Sequence, residues 1–529
     1  MSSRTAPAIS RRIEYGSLLA ITALGAFVRL YEIGGKGLWL DEAFSIWMAR
    51  QPVPEILSWL VRIDQHPPLY YLLLHLWLRF GDSAATVRAL SALLSTLTIP
   101  VFYLTGRRLA GRSVGLLAAL LLALSPFHVR FAQEARMYAL LTLSISIALL
   151  ALVHLLTDPR SAAVPCRSAR RQSQARTERA PVSVRAIETN LAWIAYALGT
   201  AGALYTHHTA LLFPLSANLF VLGLAWFRAR WPGKENGLQP PSMRNWLLAQ
   251  GAVLLLWSPW LPSAVVQAMG VYEEFWIPAP TWRTVIGAVG NLTNAHMPQR
   301  IERAPLIWAL YGAALLLGVF HLRARPTSLA LLSTLFVLPF AGEWLVSLRR
   351  PIFYDRTLIW TSLPLYLLLA AGIRGLRHRS TVLTASLMFA TINGLSIREY
   401  VLYFEKEGWD DAAAYVAEGA EEGDLVLFNA TWVQIPFDYY YRDLGPPVEE
   451  RGVPVDLFDR GILEPKMSAR DLPRLRALIR DRERVWLIYS HNWYTDPQGL
   501  VPAALEEAGD LLARRRFYGL EVRLYTVPE

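Results

Sequence analysis

Long apolar runs alternate along the chain with two kinds of polar segment, one short and arginine-rich, the other longer and carrying acids and aromatics. Apolar runs of roughly 16–22 residues are long enough to cross a bilayer as helices. About eleven runs meet that length, near 15–33, 86–106, 113–127, 137–156, 190–206, 209–227, 245–264, 305–322, 327–346, 357–373 and 380–397. Every second loop is basic: Arg11 and Arg12, then Arg107, Arg108 and Arg112, then the segment 157–189, then Arg228 and Arg230, Arg323 and Arg325, and Arg374, Arg377 and Arg379. The positive-inside rule makes these loops cytoplasmic and predicts an N-in, C-out chain. The segment 157–189, rich in Arg, Ser, Ala and Pro without apolar periodicity, reads as a disordered cytoplasmic loop. The basic, then apolar, start lacks a cleavage-site pattern and is expected to be a retained first span.

The opposite loops are 34–85, 128–136, 265–304 and 347–356. Within the first, 67–80 is too short to span and reads as an interfacial helix. Beyond residue 397 the pattern changes. Strand-like runs at Leu425–Asn429, Val485–Tyr489 and Val522–Val527 alternate with helical runs around 468–482 and 501–515. The expected architecture is mainly α: a polytopic helical membrane bundle over 1–397, followed by an extracytoplasmic α/β domain over 398–529.

Composition sharpens this picture. Apolar residues make up 53% of the 529 residues, mean hydropathy is +0.28, and there are 19 Trp, 22 Tyr and 20 Phe. That mix fits membrane spans with aromatic belts. The net charge of +10 resides in short loop clusters and is not a nucleic-acid signal. The single cysteine, Cys166, excludes an intrachain disulfide framework. The sequence has no Walker A motif, no Gly-rich dinucleotide loop and no zinc pattern.

Candidate chemistry gathers in the outer loops. Asp41 and Glu42 follow the first span directly, among Leu38, Trp39, Leu40 and Phe44. Desolvation there suits a carboxylate to general-base work, while an N-capping pair opening a helix is an equal alternative. Asp64 and His66 precede Pro67-Pro68, which force a rigid helix entry. With Asp41 and Glu42 they could bind a divalent cation, or they are ordinary interfacial polar groups. Arg130, Glu134, Arg136 and Tyr138 lie in the second outer loop, and Arg349, Arg350 and Arg356 in a later one. Outer arginines run against the positive-inside trend. They suit a phosphate clamp, or they pair with Glu134, Asp355 or Glu343, or snorkel to headgroups. His207 and His208 stand at an outer span end as accessory candidates.

The order Trp39-Leu40-Asp41-Glu42, His66-Pro67-Pro68-Leu69-Tyr70-Tyr71, Gln133-Glu134-Ala135-Arg136-Met137-Tyr138, with a late Arg356 before a span, resembles the protein mannosyltransferase-like branch of the GT-C glycosyltransferases. Aminoarabinose transferases acting on lipid A share this layout. The resemblance implies a helical bundle with interfacial helices in the first outer loop. It implies transfer of a sugar, with inversion, from a polyprenyl-phosphate carrier to an acceptor hydroxyl on lipid, glycan or protein. It places catalytic carboxylates at Asp41, Glu42 and Glu134, with Asp64, His66, Arg136, Tyr138, Arg349 and Arg356 around the substrates. His66 stands where aminoarabinose transferases carry Lys. The competing expectations are a secondary transporter and a membrane-anchored glycan-binding protein. Against the transporter, no internal repeat or matched pair of broken spans is visible.

Overall fold

The computed structural model describes residues 11–64, 66–158, 182–231, 237–270, 277, 279–297, 305–459 and 465–528. The chain forms two compact units. One comprises the first helix with Ala89–Met269 and Ile277–Tyr403; the other comprises Glu32–Arg88 and Phe404–Glu529, with Gly270–Trp276. Most of the expected cytoplasmic segment 157–189, including Cys166, lies outside the described residues.

The first unit is helical: α1 (Arg11–Leu30), most of α5 (Ala84–Ala110), α6 (Arg112–Ala123), α7 (Pro126–Ala132), α8 (Tyr138–Thr157) and α9 (Val182–Leu204), followed by further helices through Arg379–Tyr403. Among the described residues, eight helices are long and apolar enough to cross a membrane, or ten if each of two bent pairs is one span. Each of the eleven expected runs falls on a helix or a bent pair. The expected run 113–127 is α6 followed by α7, with a bend of 57° between them. Ser125 caps α7 by accepting from His128 N at 3.3 Å, and Pro126 takes its first position. Proline cannot continue the hydrogen-bond ladder of the preceding helix. The run 245–264 bends by 75° between Met243–Trp257 and Leu261–Met269, beside Pro259 and Pro262. Helix α9 is not among the eight, because Glu188, Thr189 and Asn190 dilute its apolar run. It nevertheless packs as a bundle helix. A Cβ on Gly199 would lie 2.9 Å from Ala148 N and Ser144 O, so glycine is what permits this approach to α8.

The break between α6 and α7 frees carbonyls that need donors. Arg29, fully buried at the end of α1, supplies them: its guanidinium donates to Ala123 O at 2.8 Å and Leu122 O at 3.1 Å, and to Ser95 Oγ at 2.8 Å. At the other end of α1, buried Glu14 pairs with Arg112 at 2.9 Å and Arg107 at 3.3 Å.

The second unit opens with α2 (Leu40–Arg50), α3 (Val53–Arg62) and α4 (Leu69–Trp77), the last on the stretch 67–80 expected to form a short helix. Its C-terminal part is a five-stranded sheet of β1 (Leu425–Asn429), β2 (Glu449–Gly452), β3 (Arg484–Ser490), β4 (Asp510–Phe517) and β5 (Leu520–Thr526). The order is β2-β1-β3-β5-β4, with β2, β1 and β3 parallel and β5 and β4 antiparallel. The strands alternate between two cores. Val426, Phe428, Trp486 and Ile488 pack with Trp409 and Val416; Leu425, Leu427, Val485 and Leu487 pack with Leu475, Ile479, Val501 and Leu505. This two-sided burial defines an α/β layer. The helix expected over 501–515 ends at Ala508, and the rest is edge strand β4. Gly509 makes the switch, with extended backbone beside Thr526.

Candidate functional site

In the second unit, the acid pair sits in the first turn of α2. The residue ahead of that turn, Trp39, is extended and makes no side-chain cap, so neither acid is the N-cap residue. Carboxylates here still face the favourable end of the helix dipole. Adjacent positions on a helix point to different faces, and the two acids differ accordingly. Asp41 is half-buried, whereas Glu42 is 0% exposed. Arg88 grips Glu42 with Nε on Oε1 and Nη2 on Oε2, both at 2.7 Å, and Lys406 Nζ donates to Oε2 at 2.7 Å. Arg88 also donates to the carbonyls of Ile33, Lys36 and Gly37 at 2.8–2.9 Å, tying the entire segment ahead of Asp41. Burial alone would push the Glu42 carboxyl up; Arg88 and then Lys406 overcome it and hold it down to about 2. Glu42 is therefore an ionised anchor.

Asp64 is buried, and its Oδ1 lies 2.7 Å from Nδ1 of half-buried His66. Among the described residues, no three His, Cys, Asp or Glu side chains converge as a metal site. Both Glu42 oxygens are engaged by cations instead.

In the first unit, Gln133 donates to Tyr31 O at 2.8 Å and Arg29 O at 3.1 Å, fastening the loop between α7 and α8 to the end of α1. Glu134 is buried and takes Arg130 Nε on Oε1 at 3.1 Å; its Oε2 has no hydrogen-bond partner among the described residues. Arg136 is buried, its N donating to Glu134 O at 2.8 Å and its O accepting from Ser91 Oγ at 3.3 Å. Tyr138 opens α8 with its ring edge-on to Phe131 at 4.9 Å.

Arg356 lies on the 3₁₀ turn Asp355–Thr361. Its guanidinium carbon is 4.6 Å from the Tyr354 ring centre and 5.8 Å from that of Tyr138. The structure thus brings Arg356 to Tyr138, from separate stretches of sequence. Asp355 steadies the turn, accepting from Arg356 N at 2.7 Å and Asn291 Nδ2 at 2.5 Å. His207 joins the same neighbourhood: its ring is 6.2 Å from Tyr138, and Thr209, bonded to it at 2.8 Å, donates to Thr357 O at 3.2 Å. His208 instead meets Gln267 at 2.9 Å. Glu343 accepts from Thr357 Oγ1 and from Tyr354 N. Arg349 is exposed at the end of the helix Pro326–Ser347 and is not drawn into this group.

Sequence reasoning missed Arg29, Arg88, Lys406 and Glu407. The first two carried a signal: each is an arginine at the end of an apolar run that the loop pattern makes the outer one, where the positive-inside trend does not place one.

The family described as dolichyl-phosphate-mannose-protein mannosyltransferase matches residues 65–165, a stretch that includes His66 and the Glu134–Tyr138 loop but not Asp41. No curated protein matches the chain. Among solved structures, ArnT from Cupriavidus metallidurans in the apo state is similar at TM-score 0.62 and 13% identity, over 96% of this chain and 98% of that one. The same protein bound to undecaprenyl phosphate matches at 0.61 and 12%, with the same coverage. The apo oligosaccharyltransferase of Archaeoglobus fulgidus matches at 0.57 and 9%, over 95% of this chain and 73% of that one. At these identities the likeness is one of fold, and it runs through nearly the whole chain.

Proposed function

From the premise that this chain carries the GT-C glycosyltransferase fold, we propose that it moves a sugar from a polyprenyl-phosphate carrier to an acceptor hydroxyl on the extracytoplasmic side, with inversion. The observation that carries the proposal is the division of labour in the acid pair: Glu42 is locked by two cations, and its neighbour Asp41 is presented at the start of α2 on a different face. The undecaprenyl phosphate bound by the structurally similar ArnT supports a lipid-phosphate donor. The acceptor proton passes to Asp41. The acceptor oxygen bonds to the anomeric carbon, and the bond from that carbon to the phosphate oxygen breaks, its electron pair leaving with the phosphate. Positive charge on the phosphate stabilises that departure, a role assigned to Arg356, with Arg136 beside Glu134 as second cation. Purified full-length protein with a polyprenyl-phosphate sugar in vesicles should release polyprenyl phosphate and glycosylate an acceptor. No transfer from any such donor, with an unchanged set of envelope glycans in cells lacking the protein, would defeat the reading. Solute uptake by the same vesicles would point to a transporter.

Arg356→Lys keeps the charge but loses the planar fork that matches phosphate. Losing one charged hydrogen bond costs roughly 1.5–3 kcal/mol, about one to two decades in efficiency. The variant should fold normally and lose donor use on that scale. If both Arg356→Lys and Arg356→Ala turn over at the wild-type rate, the phosphate is held elsewhere.

Orientation follows from span parity. With α9 counted as a crossing beside the ten apolar spans among the described residues, the number is odd, and the basic loops favour an N-terminus inside. Cys166 should then resist a membrane-impermeant maleimide in intact cells and react in inverted vesicles. Labelling from outside would reverse the orientation and the side of the reaction.

A further inference from the structure

We propose that Lys406 and Glu407, at the entry to the α/β sheet domain, are positioning residues for Asp41. This rests on the reading of Asp41 as the base. Three alternate residues around Asp41 are held by groups that come more than 360 residues later. Leu38 N donates to Tyr440 Oη at 2.6 Å, Leu40 N to Glu407 Oε2 at 3.1 Å, and Glu42 accepts from Lys406 Nζ at 2.7 Å. Asp41 lies inside this bracket. Leu40 opens α2, so its N–H is one of those the helix leaves without an internal acceptor. A carboxylate there satisfies that donor and complements the helix dipole.

Glu407 is itself fixed. Trp409 Nε1 donates to the same oxygen at 2.7 Å, and His491 Nε2 lies 3.5 Å from the other. Trp409 is fully buried in the core on one face of the sheet, and His491 directly follows β3. The position of Asp41 is therefore referenced to the sheet as well as to its own segment, which Arg88 holds. This gives the α/β domain a task in the reaction without placing any of its side chains on the substrate.

The test is steady-state transfer by full-length variants, with rates normalised to folded protein. A misplacement of about 1 Å can cost on the order of 10²-fold in rate. Glu407→Ala should lower kcat by roughly 10- to 100-fold and leave the donor KM near wild type. Glu407→Gln, whose amide oxygen can still accept from Leu40 N, should recover most of that loss, and Lys406→Arg should outperform Lys406→Met. A residue that merely stabilises the fold would change the folded fraction and melting temperature without this split between kcat and KM. If Glu407→Ala does not fold, Tyr440→Phe, which removes only the acceptor for Leu38 N, should still lower kcat. Wild-type kcat in Glu407→Ala and Tyr440→Phe, beside an inactive Asp41→Asn, would overturn the inference and leave the base in place. An active Asp41→Asn would remove the reading beneath it.

Discussion

Asp41→Asn is expected to give a folded protein that transfers sugar roughly 10²–10⁴-fold more slowly, the span typical of a lost general base. Asparagine has the same size, and position 41 is not the N-cap, which is Trp39. The backbone bond from Ser45 Oγ to Asp41 O at 2.8 Å survives the change. The grip on residues 38, 40 and 42 is also untouched. What disappears is a carboxylate able to take the acceptor proton. Transfer assays beside a thermal melt separate the outcomes. A stable variant with wild-type turnover would reduce Asp41 to a dipole-favouring residue and move the search to Glu134.

The second large effect is structural. Arg88→Met leaves Glu42 fully buried, with Lys406 still donating to it and the carbonyls of Ile33, Lys36 and Gly37 without the Arg88 donor. Removing one partner of a buried pair costs on the order of 3–5 kcal/mol. Glu42 is ordinarily a group of pKa 4.5 and is held down to about 2 in the folded chain. A depressed carboxylate stabilises the fold above its unfolded pKa, and that contribution fades as pH falls toward the folded one. Wild-type protein should therefore lose stability in the window below about 4.5. In Arg88→Met, burial pushes the Glu42 carboxyl upward with less opposition, so the loss should begin at higher pH. The measurement is thermal unfolding in detergent across that range. Adding Glu42→Gln to Arg88→Met should recover part of the loss, because it removes the uncompensated charge; no recovery would mean that the backbone contacts of Arg88 dominate.

How much of this was legible in the chain depends on range. Hydrophobic periodicity is local, and the positions of the helices followed from it, α9 included despite its diluted start. Breaks were visible only as prolines: Pro126 and Pro259 mark where two runs are bent, but a proline alone does not give 57° or 75°. Strand β4 hid behind a helical pattern because its stability comes from pairing with β5 and not from its own residues. The acid pair could be found from its place after the first span, and helix geometry alone sends its two members to different faces; the cations that hold Glu42 could not be found, because Arg88 and Lys406 come from distant stretches. Arginines suited to a phosphate were singled out by their expected side of the membrane. Which of them reach Tyr138 depends on the turn at Asp355–Thr361, and that turn brings in Arg356 while Arg349 stays exposed.

The separation between Glu42 and Lys406 has a consequence in time. The two residues are 364 positions apart, and chains are made at about 5–20 residues per second. On that clock, roughly 20–70 seconds pass between the synthesis of one and the arrival of the other. Through that interval the segment carrying Asp41 has emerged without the lysine that completes its anchor, and Leu40 without Glu407. The bracket around Asp41 is completed only after the helix Arg379–Tyr403 has been made, so a chain that stops directly after that helix lacks both Lys406 and Glu407.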